Sequence, residues 1–259
     1  MKKIISVAIL VVLLVSINSS FAQENQIQPD RPDQTNRPNV IPLNTFQFEA
    51  GVVFEKSTQD GSITKNLSLP GVLLRYGVLN NLELRMELKN AKVTTEANGN
   101  SSITNGISPV TLGFKMKASE EKGLRPSIGF IISFSLPNMA SKEFKNDFVG
   151  TNINLVLENS VTDKLTAGYN IGAEWDGNTP EPTFFYTLSL GYEFTKRVSG
   201  FAEVYGFAPE KTRADHRFDF GLSFLALNNL SFDASAGVGI TYNAPDYFVG
   251  GGFSFRLPK

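Results

Sequence analysis

Leu82-Glu83-Leu84-Arg85-Met86-Glu87-Leu88-Lys89 places every apolar side chain at an even position and every charge at an odd one. Successive side chains of a β-strand point to opposite faces, so this stretch predicts a strand with one apolar face and one charged face. A helix at 3.6 residues per turn would scatter both classes around its axis. The same period extends upstream, where Phe46, Phe48, Ala50, Val52 and Phe54 alternate with Gln47, Glu49, Gly51 and Glu55. Downstream, Val110, Leu112, Phe114 and Met116 alternate with Thr111, Gly113, Lys115 and Lys117, and Ile128, Phe130, Ile132 and Phe134 with Ser127, Gly129 and Ser133. Later runs fall near residues 152–158, 165–175, 184–194, 198–207, 217–227, 230–241 and 247–257. A weaker strand near residues 66–77 brings the expected count to twelve.

The connections alternate in length. Short turns fall at residues 79–81, 118–123, 160–164, 195–197 and 227–229, and mostly longer loops at 57–65, 90–107, 137–147, 176–182, 208–216 and 242–246. A soluble sandwich also alternates, but strands of about 10–12 residues with aromatic-rich apolar rows, polar inner rows and one-sided long loops match an up-and-down transmembrane barrel. Lipid cannot satisfy the unpaired N–H and C=O groups of a sheet edge, so the sheet must close. An even strand number returns both termini to one side. A strand of about 11 residues, rising roughly 3.3 Å each and tilted about 40°, spans on the order of 28 Å, the height of an outer-membrane apolar band. The expected fold is therefore all-β, a transmembrane antiparallel barrel of about twelve strands over residues 45–259. Tyr76, Tyr169, Trp175, Tyr186, Tyr192 and Tyr205 lie on strands, several near their ends, where amphipathic rings suit a membrane–water boundary; ordinary aromatic packing accounts equally for any one of them.

Composition narrows the function. The chain of 259 residues has no Cys and one His, which excludes disulfides, thiolate nucleophiles, Cys-held metal clusters and multi-His cages. With 24 basic against 25 acidic side chains and no basic block, it lacks the footprint of a nucleic-acid binder. Apolar residues make up 41% and charged residues 19%, so the chain's apolar character lies in its pattern rather than in a large core. No cofactor or metal is expected: Asp176-Gly177-Asn178 reads as a turn, and Gly250-Gly251-Gly252 as a place of close packing or curvature rather than a phosphate cradle.

Residues 1–22 read as an export signal, with Lys2 and Lys3 at the positive end, an apolar run from Ile4 to Ile17, and Ser20-Phe21-Ala22 as the cleavage site. Loss of Lys2 and Lys3 with the signal leaves 22 basic and 25 acidic residues, a net charge of −3. Residues 23–44 form a polar leader with Pro29, Pro32, Pro38 and Pro42, which hold the backbone extended. Its charges, Asp30, Arg31, Asp33 and Arg37, could enter the periplasmic mouth and pair with Glu83, Arg85 or Glu87; the alternative is a disordered periplasmic tail.

Candidate lumen-lining groups on the polar rows are Glu49, Arg75, Glu83, Arg85, Glu87, Lys115, Glu158, Glu174, Glu193, Glu203, Asp219 and Asp233. Mixed charges of this kind line a polar permeation path or bridge one another across a narrow barrel, and twelve strands lie between filled eight-stranded and open sixteen-stranded barrels. The sequence Arg213-Ala214-Asp215-His216-Arg217 sets an acid beside a possible base, but its spacing alone does not make a hydrolase site; a solvated loop histidine is the simpler reading.

Asp30-Arg31-Pro32-Asp33-Gln34-Thr35, Phe46-Gln47-Phe48-Glu49-Ala50-Gly51, Leu73-Leu74-Arg75-Tyr76-Gly77 and Leu82-Glu83-Leu84-Arg85 resemble the outer-membrane transporter family named for the MetA pathway of phenol degradation. The resemblance is most specific between residues 30 and 88. It implies a bacterial outer-membrane barrel of the porin type that admits small, in some cases aromatic or hydrophobic, solutes and meets the barrel-assembly machinery during biogenesis. The terminal run Phe253-Ser254-Phe255-Arg256-Leu257-Pro258-Lys259 departs from a common barrel ending in not finishing on an aromatic residue. The expected function is a passive, non-enzymatic channel with a narrow polar lumen, whose partners are outer-membrane lipid and a small solute. The alternatives are a lipid-directed barrel hydrolase relying on His216, or a structural or adhesion barrel without an open pore.

Overall fold

The computed structural model describes residues 26–257. Residues 1–22, expected as the export signal, lie outside the described residues. Thirteen hydrogen-bonded segments follow in order: β1 (Phe46–Gln59), β2 (Ser62–Leu79), β3 (Leu82–Ala97), β4 (Asn100–Ile107), β5 (Val110–Ser119), β6 (Ser127–Leu136), β7 (Gly150–Ser160), β8 (Leu165–Trp175), β9 (Thr183–Glu193), β10 (Val198–Pro209), β11 (Asp215–Leu227), β12 (Leu230–Gly239) and β13 (Tyr247–Arg256). Apart from β4 and β5, chain neighbours pair antiparallel, and β1 pairs both with β2 and with β13, from Gln47↔Arg256 to Lys56↔Tyr247, so the barrel closes. β4 and β5 both pair with β3 and are two halves of one strand, which gives a closed barrel of twelve strands. The break falls at Ser108-Pro109, where proline has no N–H to give the ladder.

Two expected loops are strand instead. Residues 57–65 continue the β1–β2 ladder to Gln59↔Ser62, and residues 90–107 form a β3–β4 hairpin closing at Ala97↔Asn100. Their tips, Asp60-Gly61 (φ 49° and 76°) and Asn98-Gly99 (φ 51° and 77°), adopt the left-handed backbone that two-residue hairpins require. Apolar alternation fades in these extensions because they project past the length a membrane needs and meet water. The Asp-Gly and Asn-Gly pairs were the remaining signal. Of the connection at residues 208–216, only 210–214 lies between strands, so His216 lies on β11 rather than in a loop. The segment 137–147 carries two short 3₁₀ turns and docks on the end of β4, where the Ile107 N–H donates to Ser141 Oγ at 2.8 Å.

Exposure is inverted relative to a water-soluble protein. Leu84, Phe184, Leu188, Phe218, Phe220, Leu222 and Phe224 are exposed on the outer rows, while Arg75, Lys115, Glu49, Glu83, Glu203 and Asp219 are each at most 1% exposed on the inner ones. An apolar exterior around a charged interior is stable only where hydrocarbon surrounds the barrel. Across the β1–β13 seam, Phe48 stacks on Phe253 and Phe54 on Tyr247, with ring centroids 5.7 and 6.2 Å apart. Tyr205 departs from the expected boundary position: it is inward and 2% exposed, with the Arg217 guanidinium 5.9 Å from its ring centroid.

Candidate functional site: the charged lumen and its leader

Barrel closure brings the inner rows of distant strands to face one another, and residues 26–44 run through the space between them. At the rim that carries the termini, the Ile27 N–H donates to the Asn228 carbonyl at the β11–β12 turn (2.7 Å). The leader then rises to mid-barrel, where Thr35 Oγ1 donates to Glu203 and lies 2.7 Å from Thr187 Oγ1. There the Asn36 N–H donates to Asn170 Oδ1 (2.8 Å), and Asn170 Nδ2 donates back to the Asn36 carbonyl (3.0 Å). The returning arm passes Lys117, whose Nζ meets Asn39 Oδ1 at 2.8 Å, and Glu83, which accepts the Ile41 N–H at 2.8 Å. It reaches the rim where Asn44 N–H donates to the Gly77 carbonyl at 2.8 Å.

The leader's charges are sorted by the wall they meet. Asp30 faces a basic wall, with Lys115 Nζ at 2.7 and 2.8 Å from its two oxygens, Arg85 Nη1 at 2.5 Å and Arg75 Nη1 at 3.5 Å. Burial alone would raise its pKa, but Arg75, Lys115 and Arg85 together hold it well below the usual carboxylate range. The Arg75 guanidinium bridges Glu83, through Nε and Nη2 at 2.8 and 2.9 Å, to Glu49 at 2.9 Å. Glu49 also accepts the N–H groups of Asp30 and Arg31 at 3.0 and 3.2 Å. Three cations and three carboxylates thus form one buried network whose charges cancel, the condition under which buried ions are tolerated.

Arg31 turns the other way and grips Asp233 through Nε and Nη2 at 3.2 and 2.9 Å. Its guanidinium occupies the space that side chains at Gly51 and Gly252 would fill, so those two glycines form the trough in which it lies. That close approach assigns Gly252, within the triple-glycine run, a specific neighbour. Arg37 lies 3.8 Å from Glu158. Asp33 meets an acidic wall: burial first, and then the nearby charge of Glu203, push its carboxyl up to about 7, against the opposing pull of Arg37.

The sequence-predicted residues thus divide into groups. Asp30, Glu49, Arg75, Glu83, Arg85 and Lys115 assemble into one network; Arg31 with Asp233, and Arg37 with Glu158, make separate contacts; Asp33 gathers with Glu203 and Asp219. Of the three partners expected for the leader, Arg85 meets Asp30 and Glu83 takes a leader N–H, whereas Glu87 lies beyond the leader, lining a cavity with Glu174. Glu193 lies exposed at the terminal-rim end of β9. Sequence reasoning missed the neutral contacts of Thr35, Asn36, Asn39 and Ile41. Asn170 and Thr187 do occupy inward positions in the alternation, but uncharged residues give no signal of what they face.

The leader divides the lumen. Between it and the rim far from the termini lies a cavity of about 420 Å³, with Gln34 and Asn36 as part of its floor and Ser133, Asn152, Phe185 and Phe207 among its walls. Between its two arms, at the terminal rim, lies a second of about 310 Å³, bordered by Gln28, Ile41, Gln47 and Arg256. His216 belongs to neither cavity. It lies on the outward row of β11, and its Nδ1 is 3.0 Å from the Tyr186 hydroxyl, so the hydroxyl beside it is a tyrosine's rather than a serine's. Among the described residues, no cluster of three or more His, Cys, Asp or Glu side chains is arranged to hold a metal ion.

Solved structures with the same fold include an outer-membrane channel from Pseudomonas putida F1, at 10% identity and a TM-score of 0.69, covering 90% of this chain and 100% of that one. The translocator domain of the autotransporter NalP from Neisseria meningitidis matches at 11% identity and a TM-score of 0.57, over 84% of this chain and 90% of that one. The transport unit of the autotransporter AIDA-I from Escherichia coli matches at 8% identity and a TM-score of 0.54, over 96% and 97%. No curated protein matches the sequence. Residues 29–257 match the family model described as "Putative MetA-pathway of phenol degradation", a span that begins inside the leader and ends with the last strand, and the chain belongs to that family.

Proposed function

We propose that the protein is a porin-like channel of the bacterial outer membrane that passes small, hydrophobic or aromatic solutes by diffusion, and that residues 23–44 are a plug seated in its lumen. The carrying observation is the inverted barrel: a closed wall, apolar outside and charged inside, with a leader whose Asp30 and Arg31 meet complementary partners on the inner rows. On this reading the rim bearing the termini faces the periplasm, and the longer hairpins face outward. Export by a cleaved signal and insertion by the barrel-assembly machinery complete the proposal. The family's name and the aromatic side chains of the larger cavity, Phe185, Tyr205 and Phe207, support a small aromatic solute.

The test is single-channel conductance of the mature, refolded protein in planar bilayers beside a variant lacking residues 23–42. We expect small, brief steps from the full chain, larger sustained steps from the variant, and block of those steps by small aromatic solutes. Identical conductance of the two, with both barrels folded, refutes the plug; a folded variant that passes no current refutes the channel.

A further inference from the structure

Under the tip of the leader, β10 and β11 bring Glu203 and Asp219 together as directly paired inward residues, and Asp33 sits near both. Glu203 is satisfied from the leader, by the Gln34 N–H at 2.8 Å and by the Thr35 hydroxyl. Asp219 is not: it is fully buried, and neither of its carboxylate oxygens receives a hydrogen bond from a donor. The polar group facing it is the Glu203 carboxyl, itself an acceptor when ionised. Two facing acceptors with no donor between them, and a third carboxylate above them, cannot all carry charge out of water; a proton supplies both the missing donor and the missing neutralisation.

From this geometry we propose that Asp33, Glu203 and Asp219 form a proton-binding site shared between leader and wall, so that the leader holds its seat with the site protonated and loosens when the site ionises. The proposal rests on the reading of residues 23–44 as a seated plug. The charged groups facing Asp33 are Glu203 and Asp219 from the wall, and Arg37 and Asp30 along the leader; Asp233 is already taken by Arg31. Arg37 lies 3.8 Å from Glu158 and is 41% exposed, so it does not neutralise the cluster alone.

The sign follows from Asp33. Its carboxyl sits near 7 when seated and near 3.8 when free, so seating takes up a proton. Its contribution to seating is complete below the free value, declines as pH rises between the two, and is level above about 7. Between about pH 5 and pH 8 this group alone weakens seating about a hundredfold. Asp30 stays ionised over that range and adds no titration of its own.

The chain has no cysteine, so a single Pro38→Cys, buried against Gly129 and away from the carboxylates, gives one reporter of leader release. Thiol labelling of the mature P38C protein in vesicles is measured from about pH 5 to pH 8 and divided at each pH by the rate for the free leader peptide; with fast reseating, this ratio reads the released population. We expect the ratio to rise about a hundredfold, and D33N, which carries the neutral form, to flatten the rise to less than threefold. D33N leaves the barrel wall intact, so misfolding cannot account for its result. A flat profile in the parent, or an equal rise in D33N, overturns the inference. Protection that follows added calcium and vanishes in chelator, rather than following pH, overturns it in favour of a bound cation. Labelling at the free-peptide rate at every pH refutes the seated leader itself, and so separates that failure from failure of the proton site.

Discussion

Asp30→Asn removes one negative charge from the neutral network of Asp30, Glu49 and Glu83 with Arg75, Arg85 and Lys115. Arg75 keeps Glu49 and Glu83, and Arg85 keeps Glu83, but the two hydrogen bonds from the buried Lys115 ammonium, at 2.7 and 2.8 Å, both end on Asp30. Breaking a buried ion pair from one side costs about 3–5 kcal/mol when the remaining charge stays dry. Here the leader can leave and let water reach Lys115, so the cost falls on seating rather than on the barrel. We take the lower end, about 3 kcal/mol, which at 1.4 kcal/mol per decade weakens seating roughly 100–200-fold. The assay is the labelling ratio of a Pro38→Cys reporter together with channel conductance: both should move toward those of the leader-deleted variant, while the barrel's heat-dependent mobility on a gel stays that of the parent. Adding Lys115→Met, which removes the stranded charge, should recover part of the loss, a coupling measurable as a double-mutant cycle. A seating equilibrium within threefold of the parent would refute the claim that Asp30 anchors the leader.

Acid should release the leader by a route opposite in sign to the carboxylate site at its tip. Asp30 is held below the usual carboxylate range when seated, so its contribution is complete above the free value of about 3.8 and is lost as pH falls below it; the labelling ratio should rise again below about pH 4 in the parent and not in D30N. On the outer face, Phe220, midway along β11 and 56% exposed, meets the apolar middle of the membrane; Phe220→Arg should destabilise the barrel by about 2–4 kcal/mol in reversible unfolding into denaturant from lipid vesicles, without changing leader labelling.

The strands and their two faces were legible in the sequence because alternation is local: Leu82 to Lys89 state it within eight residues, and each inner row can be read without knowing its neighbours. The closed barrel followed from that pattern, since chemically opposite faces on every strand admit an apolar exterior only if the sheet has no edge. The hairpin extensions beyond Lys56 and Lys89 were less legible, because there the selection for an apolar face ends while hydrogen bonding continues. The Asp-Gly and Asn-Gly tips carried that information in two residues each.

What the leader touches was a matter for the tertiary structure alone. Asp30 meets Arg85 and Lys115 across 55 and 85 residues of chain, and Arg31 meets Asp233 across 202. Those pairings depend on strand stagger, on closure between β1 and β13, and on two glycines that leave room for a guanidinium. The sequence could say that Asp30, Arg31, Asp33 and Arg37 were charges in search of partners, and that the inner rows held charges of both signs. Which wall is basic and which acidic, and that Asp33 comes to rest against the acidic one, was decided only when the barrel closed and brought those rows within bonding distance of the leader.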